Sequence, residues 1–364
     1  MRIALATDTY HPQINGVVSS IDTIVEELEK EHEVHVFAPT ESERAHSFRS
    51  FPFYPYPEYK IAYVRPETLA ETFEEKGIEI VHVQTPFSLG VSALGASRRL
   101  SLPAVGTFHT LLPEYVHYLS RAPEFLLRKF GWKYITWFYG RFNAVTVPSK
   151  PIKKSLVRRG LENVYVIPNA VNTDFFHPGG NSSEANPSVL FVGRLAKEKN
   201  LKVLIDAAPT VLKEYPDIKF RIIGKGIHGD WYRKLVKRKN LSGSFNFEGY
   251  VPSRELIEAY QECQIFAMPS TTETQGLVAL EAMACETPVV GADARGLKDV
   301  INHEVDGYLF QPGDPEALSD YLLRLLSDDK SRKRMGEKAR QKAEEFSSQK
   351  IGKQWTKFYS SLLG

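Results

Sequence analysis

At 364 residues the chain exceeds the size at which one hydrophobic core stops growing, so its length predicts two domains. With 42% hydrophobic and 25% charged residues it has the make-up of a soluble globular protein; no run is apolar for long enough to cross a bilayer, and the start lacks the long apolar stretch of a signal peptide. Cys263 and Cys285, the only cysteines, exclude a disulfide framework and a thiolate zinc site and fit a cytoplasmic protein, while the net charge of +2 conceals twelve Lys and Arg against Glu114 and Glu124 between Arg98 and Arg159.

The first predicted strand, Arg2–Ala6, runs into the loop Thr7-Asp8-Thr9-Tyr10-His11-Pro12-Gln13-Ile14-Asn15-Gly16, which opens an apolar helix. Asn15-Gly16 reads as a turn; a glycine there also lets a phosphate or an acceptor approach the amides of a helix start. Further short strands are predicted at Val34–Ala38, Ile80–Val83, Ala104–Phe108, Ala144–Val147 and Val164–Ile167, alternating with helical stretches as in a parallel α/β sheet. His109 directly follows the fourth of these six runs, at the carboxyl edge of the sheet, where ligands of such folds sit. His11, His82 and His117 read as structural or exposed, with an acceptor pocket as the second reading of His117.

Phe125, Phe130, Trp132, Tyr134, Trp137, Phe138 and Tyr139 interleave with Arg128, Lys129, Lys133 and Arg141, and Lys153 and Lys154 follow. Aromatic and basic side chains in this mixture suit the headgroup boundary of an anionic membrane. The competing reading places Leu126, Phe130 and Trp137 in a core-facing stripe behind a solvated basic face.

A Gly/Ser/Asn/Pro stretch, Pro178–Ser188, breaks the rhythm, which resumes at Val189–Val192, Phe220–Ile223, Phe245–Phe247, Ile265–Met268, Pro288–Val290 and Tyr308–Phe310. Strands apolar throughout, such as Val189-Leu190-Phe191-Val192, predict sheets covered on both faces. After the first of this second set come Gly193-Arg194 and Lys199, cations able to neutralise a diphosphate; Lys197 reads as solvated, and Ile223-Gly224-Lys225-Gly226 as a weak phosphate signal. After the fourth, Glu273 precedes Gln275-Gly276-Leu277 and a helix carrying Glu281 among Leu277, Val278, Leu280 and Met283. The free amides from Gln275 to Val278 form a seat for a diphosphate, and the buried Glu281 is suited to ribose hydroxyls or to a core salt bridge.

With these segments the chain resembles glycosyltransferase family 4, the retaining group with the GT-B fold, along essentially its whole length. The resemblance rests on Glu273 with Glu281, on Arg194 with Lys199, on Thr107-Phe108-His109-Thr110-Leu111-Leu112-Pro113 and on Ile167-Pro168-Asn169-Ala170-Val171-Asn172-Thr173-Asp174, where Ala170 replaces the usual glycine. It implies two Rossmann-like doubly wound domains with a cleft between them: an acceptor domain over 1–168, completed by a C-terminal helix over 348–363, and a nucleotide-sugar domain over 169–347. It implies further that Glu273 and Glu281 contact the donor sugar and the ribose, that Arg194 and Lys199 contact the diphosphate, and that amides at Gly276 and Leu277 complete the pocket. Val251 would meet the base through its backbone, His109 would lie beside the transferred sugar, and the glycine-containing first loop makes Gly16 a site residue.

The resemblance implies a retaining hexosyltransferase, with His109, Glu273, Arg194 and Lys199 as catalytic residues. Gly16, Gly224, Val251, Gln275, Gly276, Leu277 and Glu281 join Arg194 and Lys199 as donor contacts. No carboxylate stands out as a nucleophile, so same-face attack assisted by the leaving phosphate is expected. No DxD-like pair follows a strand, so no metal and no cofactor are expected beyond the nucleotide sugar, here UDP-glucose. The segment His109–Tyr118 resembles that of family members acting on diacylglycerol or phosphatidylinositol, which implies a lipid acceptor. Asp8, Asn15, Tyr115 and His117 are the acceptor candidates. Arg128, Lys129, Trp132, Lys133, Lys153 and Lys154 are the expected membrane contacts on the cytoplasmic face, and no nucleic-acid partner is expected. A GDP-mannose-dependent enzyme, a soluble acceptor, a sugar-nucleotide epimerase and a non-enzymatic sensor are the alternatives.

Overall fold

The computed structural model describes residues 1–40, 42–53, 56–115, 123–179 and 187–364, without the side chains of residues 56–59, 113, 115 and 124. The chain divides into two compact units, Met1–Ala170 with Ser348–Gly364, and Val171–Ser347. The first crossing thus follows Ala170 and not Pro168, because Ala170 packs in the core of the first unit whereas Val171 packs in that of the second and bridges to Ser347.

The first unit holds a seven-stranded sheet in the spatial order Ala45–Ser47, Glu33–Ala38, Arg2–Ala6, Ile80–Val83, Ala104–Thr107, Ala144–Val147, Val164–Val166. Every neighbouring pair is parallel. Its inner strands are buried on both faces, and the alternation is visible: Ala4 and Ala6 pack toward Leu89, Phe108 and Phe138, while Ile3 and Leu5 pack toward Ile21, Trp355 and Tyr359. The C-terminal helix Ser348–Leu363 contributes Ile351, Trp355 and Tyr359 at helical spacing to that second face, so the chain's end completes the first unit's core. Its contact with the first helix is close enough that a Cβ on Gly352 would lie 2.2 Å from the Glu27 side chain.

Two features depart from the expected pattern. Ala45–Ser47 adds an edge strand, and Ser50–Phe53 pairs antiparallel with Tyr56–Ala62 as a separate ribbon. Pro52 and Pro57 cannot donate to a ladder and argue against a central strand, yet a two-stranded ribbon leaves half of its donors outside the ladder and tolerates them.

The second unit has a six-stranded parallel sheet in the order Phe245–Gly249, Lys219–Ile223, Ser188–Val192, Ile265–Met268, Val289–Ala292, Gly307–Phe310. Val189 and Phe191 face one core layer with Leu204 and Leu322, whereas Leu190 faces the other with Leu280 and Ile301. In each sheet the strand order reverses once, between Arg2–Ala6 and Ile80–Val83 in the first and between Ser188–Val192 and Ile265–Met268 in the second. The carboxyl ends at such a reversal leave a crevice, which is where doubly wound sheets bind ligands.

Candidate functional site

At the reversal in the second unit, the loops after Ser188–Val192 and Ile265–Met268 carry Arg194, Lys199 and Glu273. Lys199 Nζ donates to Glu273 Oε1 at 2.5 Å, and Arg194 Nη2 donates to Glu198 Oε1 at 2.9 Å. Burial by itself would raise the Glu273 pKa; the Lys199 charge and hydrogen bond, a Ser270 hydrogen bond and the Arg194 charge outweigh it and hold the carboxyl below its ordinary value. The carboxylates orient the two cations, a guanidinium with five donors and an ammonium with three. Glu198, in a Lys-Glu-Lys run that reads as solvated, is therefore part of the site; its four-residue offset from Arg194 was the available signal.

Glycines set the shape of these loops. Gly193 donates to the Ile223 carbonyl at 3.0 Å and Gly224 to the Gly249 carbonyl at 2.6 Å, so three strand-end loops lie side by side. Gly224 has a φ of +131°, and a Cβ there would stand 2.0 Å from the Gly193 carbonyl oxygen. Loop packing thus explains Gly224 fully, and its expected donor contact is not needed to account for the residue. Gly276, with a φ of +108°, opens the helix Leu277–Ala284 and has no side chain with which to cap its first amides. The amides at Leu277 and Val278 lie at the positive end of that helix beside the buried Gln275. The Val251 side chain belongs to the core, which leaves its backbone as the only part suited to a ligand.

Glu281 lies on the same helix, 8% exposed, and accepts a hydrogen bond from the Tyr260 hydroxyl at 2.9 Å. No cation partners it among the described residues, so the salt-bridge alternative falls. Burial raises its pKa to about 7, with the Tyr260 bond opposing. Tyr260 carries no signal in sequence, because it stands on a different helix and meets Glu281 only through the fold.

In the first unit two of the acceptor candidates bind the chain's own backbone. Asp8 is 4% exposed and its carboxylate accepts from Thr85 Oγ1, Ser88 Oγ and the amides of Leu89 and Gly90, at 2.7–3.3 Å. It anchors the start of the helix Ser88–Arg99 and offers no oxygen lacking a donor; burial raises its pKa while these bonds oppose the rise. Asn15 caps the helix Gly16–Leu28, its Oδ1 accepting from the Val17 and Val18 amides at 3.0 and 3.1 Å. Both serve as caps, a role that accounts for each of them without an acceptor. Gly16 keeps open space where a Cβ would stand, as a ligand-approach position requires. His117 and the Tyr115 side chain lie outside the described residues.

His109 follows the strand Ala104–Thr107, and its Nε2 lies 2.7 Å from Gln84 Oε1. Burial lowers its pKa to about 4, so the ring is neutral at physiological pH. Gln84, itself buried, directly follows Ile80–Val83 at the reversal point; the strand-end rule that selects His109 selects it equally. His82 is a satisfied core histidine, and His11 pairs with Asp22 at 2.7 Å on the surface.

The aromatic and basic helix Glu124–Tyr139 turns Ile135, Phe138 and Tyr139 inward. Leu126, Phe130 and Trp137 are exposed, which removes the core-stripe reading. Phe125 is 70% and Phe130 66% exposed, with Lys129 and Lys133 between and beyond them. Trp132 leaves the set of expected membrane contacts: it is half-buried, stacks on Phe108 with centroids 6.4 Å apart, and is covered by the Arg159 guanidinium at 3.8 Å. Arg128 is paired with Glu114 at 3.0 Å, while Lys153 and Lys154 are exposed on the helix Lys150–Val157.

Comparison with known proteins accords with this geometry. Residues 14–175 match Glycosyltransferase Family 4 and residues 172–342 match Glycosyl transferases group 1. Alpha-monoglucosyldiacylglycerol synthase of Acholeplasma laidlawii is 30% identical over 80% of this chain and 80% of its own length. The enzyme of the same name from Streptococcus pneumoniae is 29% identical over 100% of this chain and 86% of its own length. A GDP-mannose-dependent alpha-mannosyltransferase of Corynebacterium glutamicum is 27% identical over 86% of this chain and 78% of its own length. Among solved structures, Anabaena HepE in complex with UDP and glucose aligns with a TM-score of 0.81 at 21% identity, covering 99% of this chain and 100% of that one. Two Rossmann-like parallel-sheet units, one offering paired cations and an uncapped helix start at its strand reversal, and these likenesses lead to one family: the chain belongs to the family 4, group 1 glycosyltransferases of GT-B fold, enzymes that use nucleotide sugars.

Proposed function

We propose that the protein transfers glucose from UDP-glucose, with retention of configuration and without a metal, to a lipid such as diacylglycerol at the cytoplasmic face of an anionic membrane. The observation that carries the acceptor is the exposed row of Phe125, Leu126, Phe130 and Trp137 beside Lys129 and Lys133. A soluble protein exposes such a large apolar patch where it meets a membrane or a partner. No helix among the described residues is long and apolar enough to cross a bilayer, so contact through a surface helix is the mode this patch suits. The relatives named for glucosyldiacylglycerol synthesis favour glucose and a glycerolipid, and the solved HepE complex favours UDP.

In this mechanism the second unit holds the donor. Glu281 accepts from the ribose hydroxyls, the amides after Gln275 and Gly276 receive the diphosphate, and Glu273 orients the sugar. Val251 offers backbone groups to the base. Arg194 and Lys199 stabilise charge on the leaving diphosphate, which takes the acceptor's proton as the new bond forms on the same face. Their fixed charges serve in place of a divalent ion. The first unit presents the acceptor, with Gly16 leaving room for its approach and His109 meeting the sugar.

Incubation with radiolabelled UDP-glucose, UDP-galactose and GDP-mannose, with and without lipid extract and with EDTA throughout, tests this. The expected result is label from UDP-glucose in an organic-soluble product only when lipid is present. Label from GDP-mannose alone would favour the mannosyltransferase reading that the Corynebacterium relative suggests. Transfer only to a soluble sugar would remove the lipid acceptor, and loss of all turnover in EDTA, restored by Mg²⁺, would remove metal independence.

A further inference from the structure

Along the carboxyl edge of the first sheet, polar residues recur at alternate positions on one face: His82 and Gln84, Thr107 and His109, and Thr146. Ile80 and Val105 share that face and pack with Ile351, Trp355 and Tyr359, so the polar row faces the C-terminal helix. His82 sits at its centre, Nδ1 2.6 Å from the Tyr359 hydroxyl and Nε2 2.6 Å from Thr107 Oγ1, which is itself 2.6 Å from Thr146 Oγ1. The Trp355 ring packs against it at 4.7 Å between centroids.

Gln84 joins this cluster to His109. Its amide nitrogen lies 3.1 Å from both ring nitrogens of His82. Each ring nitrogen already has a hydroxyl partner, and an atom equally close to both nitrogens would collide with the ring carbons if it lay in the plane, so the amide stands over the imidazole face. That face is electron-rich and receives an N–H better than a carbonyl oxygen. The amide is thereby oriented with Oε1 toward His109 Nε2 at 2.7 Å. An oxygen there only accepts, so His109 carries its proton on Nε2 and has Nδ1 as its acceptor nitrogen.

We propose that Gln84 and His82 are positioning residues for the transfer reaction: they hold His109 in the Nε2–H tautomer and tie that geometry to the C-terminal helix through Tyr359. This rests on the reading that His109 meets the sugar. Burial keeps both rings neutral, pressing the His82 pKa well below its ordinary value, with the nearby His109 acting in the same direction.

The test uses the full chain labelled with ¹⁵N-histidine, whose two-bond ¹H–¹⁵N spectrum distinguishes the tautomers, alongside kcat and KM for the nucleotide sugar. His109→Ala assigns the resonance and measures how far turnover depends on the ring. Wild type is expected to show a neutral Nε2–H ring at His109. Gln84→Leu is expected to mix the tautomers and lower kcat roughly tenfold to a hundredfold with KM within a factor of about three, as misorientation of a reacting group does. Gln84→Glu retains the acceptor, so it is expected to keep the Nε2–H form, rescue most of the turnover and move His109 protonation toward neutral pH. If Gln84→Leu does not fold, Gln84→Asn withdraws the amide by one methylene and carries the same expectation. An Nδ1–H ring in wild type, or an unchanged spectrum in Gln84→Leu, overturns the positioning role itself. A changed spectrum with wild-type turnover in both Gln84→Leu and His109→Ala instead overturns the placement of His109 beside the sugar, and the catalytic part of the proposal with it.

Discussion

Glu281 and Glu273 share one segment and have opposite electrostatics, which gives each its own experiment. Burial lifts Glu281 to about 7, whereas Lys199 and its neighbours overcome burial at Glu273 and keep it ionised. Ribose hydroxyls donate, so they favour the charged form of Glu281; UDP binding should release a proton and weaken as pH falls through 7, by about tenfold between pH 8 and pH 6. Calorimetric titration in buffers of differing ionisation heat checks this, and Glu281→Gln should abolish the proton release beyond that of UDP's own phosphate. A raised carboxyl pKa also makes the fold less stable as pH climbs from 4.5 through about 7. Glu281→Gln, lacking that penalty, should therefore gain on wild type by about 3 kcal/mol between pH 4 and pH 8 in chemical denaturation. Glu281→Ala should weaken UDP binding, while Glu273→Gln should mainly lower turnover; UDP affinity at the wild-type level in Glu281→Ala would end the ribose assignment.

At the scale of elements, helix starts divide into two kinds. Asn15 caps Gly16–Leu28 and Asp8 ties down Ser88–Arg99, so their first amides are satisfied from within. Leu277–Ala284 begins at a glycine that supplies no cap; several other helices also start without a side-chain cap, so it is the place of this one, directly after the loop that carries Glu273 at the strand reversal, that marks it as the proposed anion seat. The helix Glu124–Tyr139 is the second element with a surface its own unit leaves uncovered. Basic residues near an anionic surface contribute about 1 kcal/mol each, so several acting together hold a protein there reversibly and with strong salt dependence. Wild type should float with anionic vesicles at low salt and detach at high salt; a variant with Lys129, Lys133, Lys153 and Lys154 changed to Glu should stay behind at both. Equal flotation of the variant would show that these lysines do not dock the protein.

For the whole molecule, the decisive feature is that each unit closes its own cores, the first borrowing the chain's last helix to do so. All proposed UDP contacts other than Gly16 lie within Val171–Ser347. Scanning calorimetry should accordingly resolve two transitions, with UDP raising that of the second unit; a ligand at about 100 times its Kd adds about 2.7 kcal/mol to the state that binds it. Removing residues 348–364 should lower the transition of the first unit instead, because Ile351, Trp355 and Tyr359 leave its core. A truncated chain whose UDP-sensitive transition fell equally would contradict this division.

What the sequence determined by itself is what period and local chemistry encode. Continuous apolar strands alternating with helices specify parallel sheets covered on both faces, and the polar residues just after them, Arg194, Glu273 and His109, are legible because a strand end is a fixed place in such a fold. What only the tertiary structure decided is which partners those residues meet. Tyr260 reaches Glu281 from another helix, and Gln84 with His82 links His109 to Tyr359, 250 positions beyond His109 in the chain, pairings with no local period to announce them. Trp132 and Phe130 look alike in sequence; the position of each on the helix surface turns one against Phe108 and leaves the other exposed. Asp8 and Asn15 read as ligands until the amides they cap are located, because a cap and a ligand draw on the same hydrogen-bonding chemistry and differ only in what the fold brings within 3 Å.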